Sequence, residues 1–257
     1  MILLVGHNRA HPETNMGDAV LQIPLILHLA RSSAEPIYFE MLNAAVRELV
    51  PRRANLFDLR ELPAQSVQVT IWSSINDVIT RFNRSTHPTL GLFDLHGIPR
   101  PSDSWALRPE LSFVHQPAPH YDFLIAPFSW DKNREWPLWN WDAVIQGLPG
   151  RVGILGAASE PKMWTGVDYQ YGLALDQVCS LICSAHCLVT IDTGPARLAH
   201  GLGHPNHVLL CSSVVPKVWG TYPGARVIYG ATSTWRSDDV LKFALHAYHS
   251  RPSKSTP

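Results

Sequence analysis

The residues from Cys187 to Pro205 combine the types and spacing best suited to holding an anion. Leu188 to Ile191 is short and apolar, as in a buried strand. Asp192, Thr193 and Gly194 read as a sharp turn, and the residues after them as a short helix. Thr193 is expected to cap that helix, and Pro195 suits a first turn that needs no amide donor. Ala196, Ala199 and Leu202 recur at helical spacing and should face a core. Arg197, His200, Gly201 and His204 share another face. A strand that ends in a glycine turn and feeds a helix leaves amides aimed at one point. Such a point attracts an anion, and Arg197 offers a guanidinium able to clamp it with two hydrogen bonds. The same pattern also makes an ordinary strand-to-helix turn with no ligand, so the reading depends on what neighbouring elements bring.

Other candidates are spread along the chain. Lys132 and Arg134 lie in a loop with Asp131 and Glu135, which reads equally as a solvated charged loop and as an anion ligand. His7 and His11 occupy one polar loop with Glu13. Either histidine titrates near neutrality, but three ligands in a single loop are poorly pre-organised, and no metal is expected. The four cysteines, Cys179, Cys183, Cys187 and Cys211, contain no C-x-x-C pair and have apolar surroundings, so buried free thiols are expected. Trp130, Trp136, Trp139 and Trp141 crowd one segment; the spacing predicts that Trp136 and Trp139 pack a helix onto its sheet. Trp219 follows a strand end.

The chain has 257 residues, with Lys plus Arg and Asp plus Glu both totalling 21. A net charge near zero gives no support to nucleic-acid wrapping or to binding an anionic membrane, although it leaves room for a local basic cleft. The longest apolar run, Val20 to Ala30, is interrupted by Gln22, Pro24 and His28 and is too short to span a bilayer. Met1 to Val5 lacks a basic leader and reads as a first strand rather than a signal peptide, so a cytoplasmic protein is expected.

Strand and helix patterns alternate twice. The first series has strands at residues 2–5, 37–39, 55–57 and 67–72. Helices are expected from Gly17-Asp18 to Ala30, from Met41 to Val50, and from Ser73 or Ser74 to Phe82. Five prolines between Gly97 and Pro119 suit a semi-rigid connector. A second series then begins, with strands at 122–126, 152–155, 188–191, 206–210 and 227–229. Its helices lead from Trp136-Pro137 to Gln146, from Leu175 to Ala185 and from Asp238 to His249. Such alternation predicts parallel α/β sheets covered on both faces, and two of them predict a cleft where ligands meet the carboxyl ends of strands.

Four segments, in order, resemble the heptosyltransferases of glycosyltransferase family 9. Gly17-Asp18 through Pro24 is similar to the family's G-D-x-x-x-x-x-P entry to its first helix. Leu95 to Pro99 resembles its L-G-I-P element, and Ile125 to Pro137 ends in its W-P. Asp192 to Ala199 is close to its D-[ST]-G-x-x-H-L-A. Arg197 stands where the family usually has histidine, Arg134 where a lysine commonly precedes W-P, and the chain is shorter than usual. The resemblance implies a GT-B fold, with two Rossmann-like lobes facing each other across a cleft. Residues 1–115 would be the acceptor lobe and 116–257 the nucleotide-sugar donor lobe. It implies inverting transfer of a sugar from a nucleotide-diphosphate donor, ADP-heptose-like, to an acceptor hydroxyl, which in the family lies on a lipopolysaccharide core.

The resemblance nominates Asp18 as the base, in place of a carboxylate that merely caps its helix. His7 and His11 are rival bases or acceptor contacts. Ser129, Lys132, Arg134, Asp192, Thr193, Gly194, Pro195 and Arg197 would surround the donor. Lys132, Arg134 and the amides at the helix start would neutralise the leaving diphosphate without a metal or other cofactor. Asp192 would orient the turn or a donor hydroxyl, and Glu160 would meet the nucleoside. Three other readings remain open: a nucleotide-sugar epimerase or hydrolase of the same plan, a non-catalytic nucleotide-sugar binding module, and transfer to a modified DNA base or a protein.

Overall fold

The computed structural model describes residues 2–5, 16–34, 36–41, 43–58, 71–73, 81, 86–100, 109–214, 217 and 224–250. The chain divides into two compact units, Met1–Val114 and His115–Pro257.

In the first unit, strands β1 (Ile2–Val5), β2 (Ile37–Met41), β3 (Leu56–Asp58) and β4 (Ile71–Ser73) form a parallel sheet in the order β3-β2-β1-β4. Helix α1 (Met16–Ser32) is buried from Ala19 to Leu27, which is what its almost unbroken apolar sequence demands. The helix expected from Met41 to Val50 is much shorter. Met41 pairs with Val5 as the last residue of β2, and α2 spans only Ala44–Arg47. Asn43 sets that start, its side chain accepting the Val46 amide at 3.0 Å. Helix α3 (Pro88–Leu95) has no counterpart among the sequence expectations, since eight residues rich in apolar types show no clear period. His87 caps it and Pro88 occupies its first turn, while the Thr89 hydroxyl donates to the Leu21 carbonyl of α1 at 3.0 Å.

The second unit is built on a six-stranded parallel sheet. Its strands are β5 (Phe123–Ala126), β6 (Val152–Gly156), β7 (Asp168–Tyr171), β8 (Cys187–Ile191), β9 (His207–Ser212) and β10 (Ala225–Gly230). The order β7-β6-β5-β8-β9-β10 is the doubly wound arrangement in which chain direction across the sheet reverses between the first and fourth strands, here β5 and β8. Strand β7 was not expected: its residues Asp-Tyr-Gln-Tyr are only half-buried at a sheet edge and lack an apolar signature. Helices α4 (Leu138–Gly147), α5 (Leu175–Ser184), α6 (Gly194–Leu202) and α7 (Ser237–His249) cover the sheet.

Packing corrects the tryptophan expectation. Trp136 and Trp141 are buried and meet edge to face at 5.1 Å, with Trp235 against Trp136 at 6.4 Å. Trp139 is 71% exposed. Trp141 follows Trp136 by five residues, across the entry into α4, so simple helical spacing from Trp136 selects the wrong partner. Cys179, Cys187 and Cys211 are buried free thiols as expected, with burial as the main cause pushing each up to about 12, whereas Cys183 is exposed. Trp219 and the expected helix from Ser73 or Ser74 to Phe82 lie wholly or largely outside the described residues.

Candidate functional site at the carboxyl ends of β5 and β8

The reversal between β5 and β8 places two loops side by side. Ala126 at the end of β5 pairs with Thr190 of β8, so the loop 127–137 and the turn 192–194 leave the sheet next to each other. Sheets of this type bind ligands at this crevice, because the helices on either side of it run to opposite faces. The two loops touch: Arg134 Nη1 reaches the Asp192 carbonyl at 3.5 Å, and the Ser212 hydroxyl at the end of β9 reaches the Asn133 carbonyl at 3.4 Å.

The loop after β5 is braced by its own acids. Asp131 caps a 3-10 turn, Lys132–Arg134, accepting the Asn133 amide at 3.1 Å and pairing with Arg134 Nε at 3.2 Å. Glu135 Oε1 receives the Ser129 amide at 2.9 Å and Lys132 Nζ at 2.7 Å. Ser129 is buried, and its hydroxyl oxygen accepts the Asp131 amide at 3.1 Å, which leaves its own proton available to donate. The spacing of Asp131 to Arg134 and of Lys132 to Glu135, three residues in each case, was visible in the sequence. That both acids lock the loop was not, because it needs the Ser129 amide brought round to Glu135.

The turn after β8 differs from expectation in three ways. Thr193 holds the N-cap position, but its hydroxyl donates back to the Ile191 carbonyl at 3.3 Å instead of accepting an amide. The amides of Ala196 and Arg197 both point to the Thr193 carbonyl, at 3.1 and 3.3 Å, and Pro195 has none. Thr193 and Gly194 therefore keep the amides of the turn that stay outside this pairing. Arg197, expected as an exposed clamp, is 7% exposed and lies 2.9 Å from the buried Asp192 carboxylate, so the pair points inward. Neither Asp192 oxygen has a hydrogen bond of good geometry among the described residues, so charge rather than alignment holds it.

The helix face expected to be separate is buried too. His200 and His204 are enclosed along with Ala196 and Ala199, and Leu202 is only half-buried. Helix α6 packs against both α5 and β8, and its end is closed by Gly203 at φ 68°, where the His204 amide returns to the Ala199 carbonyl. His204 Nε2 bonds the Ala185 carbonyl at 3.1 Å, and His207 Nε2 bonds the Thr190 hydroxyl at 2.8 Å. Burial lowers both pKa values, that of His207 to about 3, with the neighbouring His204 and His200 adding to it. Below pH 6.5 the unfolded chain takes up protons that these rings refuse, so stability is full above that pH and falls as pH drops. His207 alone should give a slope of up to about 1.4 kcal/mol per pH unit, and His204 adds in the same direction. Urea midpoints between pH 7 and 4.5 should show the decline, and His207→Gln should flatten it; equal slopes in both proteins would count against these rings.

Glu160 sits beyond β6 in a turn closed by its amide on the Ala157 carbonyl at 3.1 Å. Near it Tyr171 donates to the Pro161 carbonyl at 2.9 Å; burial first, then Tyr169 and Glu160, push that phenol's pKa up. Asp18 belongs to the first unit. It lies half-buried in the first turn of α1, where its main-chain oxygen accepts Gln22 Nε2 at 3.3 Å. His7, His11 and Glu13 lie outside the described residues. Among the described residues no group of three or more His, Cys, Asp or Glu is placed to hold a metal ion, and no helix is long and apolar enough to cross a membrane.

Neither a protein-family model nor a curated protein matches the sequence. Solved structures do match the fold. A glycosyl transferase family 9 protein from Veillonella parvula superposes with a TM-score of 0.71 at 14% identity, over 97% of each chain. The E. coli heptosyltransferase WaaC with ADP gives 0.65 at 12% identity, over 96% of this chain and 100% of that one. E. coli ADP-heptose lps heptosyltransferase II gives 0.60 at 16%, over 96% and 98%. The chain thus has a parallel α/β fold like that of the family 9 heptosyltransferases.

Proposed function

We propose that this protein is a glycosyltransferase that moves a sugar, with inversion, from a nucleoside-diphosphate donor to an acceptor hydroxyl. The observation that carries the reading is the meeting of the Ser129–Glu135 loop with the Asp192–Gly194 turn at the β5/β8 crevice, joined by Arg134 Nη1 on the Asp192 carbonyl. It brings a buried hydroxyl, two cations and a helix start to one end of the sheet. A departing diphosphate gains negative charge on its bridging oxygen, and fixed positive groups lower the barrier by meeting that charge. Lys132 and Arg134 supply it as side chains, the amides of Thr193 and Gly194 as dipoles, and the Ser129 proton as a hydrogen bond. Arg197 and Asp192 act beneath the surface, holding the turn in shape. Glu160 meets the nucleoside from the end of β6. Asp18 takes the proton of the acceptor hydroxyl as it attacks the anomeric carbon, the sugar–phosphate bond breaking with inversion.

The named partners of the similar structures, ADP and ADP-heptose, support an adenine nucleotide donor. A thermal-shift panel tests this. ADP at a hundred times its dissociation constant should stabilise the protein by about 2.7 kcal/mol, UDP and GDP less, with the same shift in the presence of a chelator. No response to any nucleoside diphosphate would overturn the donor assignment. Donor breakdown without an acceptor would point to a hydrolase or epimerase instead.

A further inference from the structure

We infer that Glu135 is an internal competitor for the donor phosphates, releasing Lys132 when a nucleoside diphosphate binds and reclaiming it when the product leaves. The inference rests on the proposed donor site. Glu135 Oε1 receives two donors at once, the Ser129 amide at 2.9 Å and Lys132 Nζ at 2.7 Å. A main-chain amide at the carboxyl end of a parallel strand joined by a lysine ammonium is also the donor set that a phosphate oxygen takes. The carboxylate therefore offers Lys132 the same negative charge that a diphosphate oxygen would, so the two compete for that one ammonium.

The two halves of this arrangement differ in how firmly they are held. The Glu135 side chain is 15% exposed and tied to a main-chain amide, whereas that of Lys132 is 71% exposed. An ion pair with one partner so solvated contributes little, so Lys132 can swing to a diphosphate at small cost while Glu135 stays on Ser129 and keeps the loop shaped. The neighbouring pair repeats the pattern, Asp131 holding the Asn133 amide and Arg134. A site that pays out its lysine in this way binds the released diphosphate less tightly than bare cations would, and so lets product go.

Glu135→Gln tests this, because the amide oxygen can still accept from Ser129 while the charge on Lys132 is released. Calorimetry with ADP should give a dissociation constant about three- to fivefold lower than in the parent protein. The melting temperature without ligand should be unchanged, and kcat should fall with KM for the donor. In a Lys132→Met background the same substitution should change affinity much less. Unchanged or weaker ADP binding by a folded Glu135→Gln protein would overturn the inference. Absence of ADP binding by the parent protein would instead overturn the donor site itself. If the variant does not fold, NMR of the parent protein decides: saturating ADP should shift the Lys132 side-chain resonances, and a Lys132 signal that ignores ADP rejects the exchange.

Discussion

Asp18→Asn should lower sugar transfer by about 10²- to 10⁴-fold and leave the ADP-induced thermal shift intact. The residue lies in the first turn of α1, where the helix dipole favours the ionised carboxylate. An ionised carboxylate can accept a proton, although carboxylates as a class are weaker bases than imidazole. Asparagine has the same shape and serves equally at a helix start, and the bond from Gln22 goes to the main-chain oxygen of Asp18, which the substitution keeps. Rates with donor and acceptor, alongside melting with ADP, separate the possibilities. Loss of both would assign Asp18 to folding, and undiminished transfer would pass the proton to another group.

Arg197→Met should lower the melting temperature by about 10 °C or more, through a loss of about 3–5 kcal/mol. The cause is the Asp192 carboxylate, whose side chain is fully buried and would lose the cation 2.9 Å away. Asp192→Asn in the same chain should recover much of the loss, since two neutral groups carry no such penalty. Urea unfolding of the two single variants and the double variant measures the coupling. A clamp on the donor, as the sequence pattern suggested for Arg197, gives the opposite result: a normal melting temperature and lost ADP binding.

The sequence by itself determined most of the elements and their order. Apolar strands such as Leu124–Ala126 and Leu188–Ile191 are continuous because both faces of a parallel sheet are covered, and that signal is local. The glycine turn at residues 192–194, the W-P entry to α4 and the acid at the start of α1 were legible for the same reason, each being a pattern within a few residues. Edge strand β7 and the short helix α3 were not, because half-buried or brief elements carry no period. Only the tertiary structure decided which side chains face a ligand. Arg197 looks like a clamp in one dimension and is an internal counter-ion in three, since its guanidinium turns in against the buried Asp192 carboxylate. Trp139 and Trp141 exchange roles because the helix begins only at Leu138, after Pro137, so Trp136 lies outside its period. Glu135 gains its place on Ser129 from the way the loop folds back, a contact whose partners no helical or strand spacing would connect.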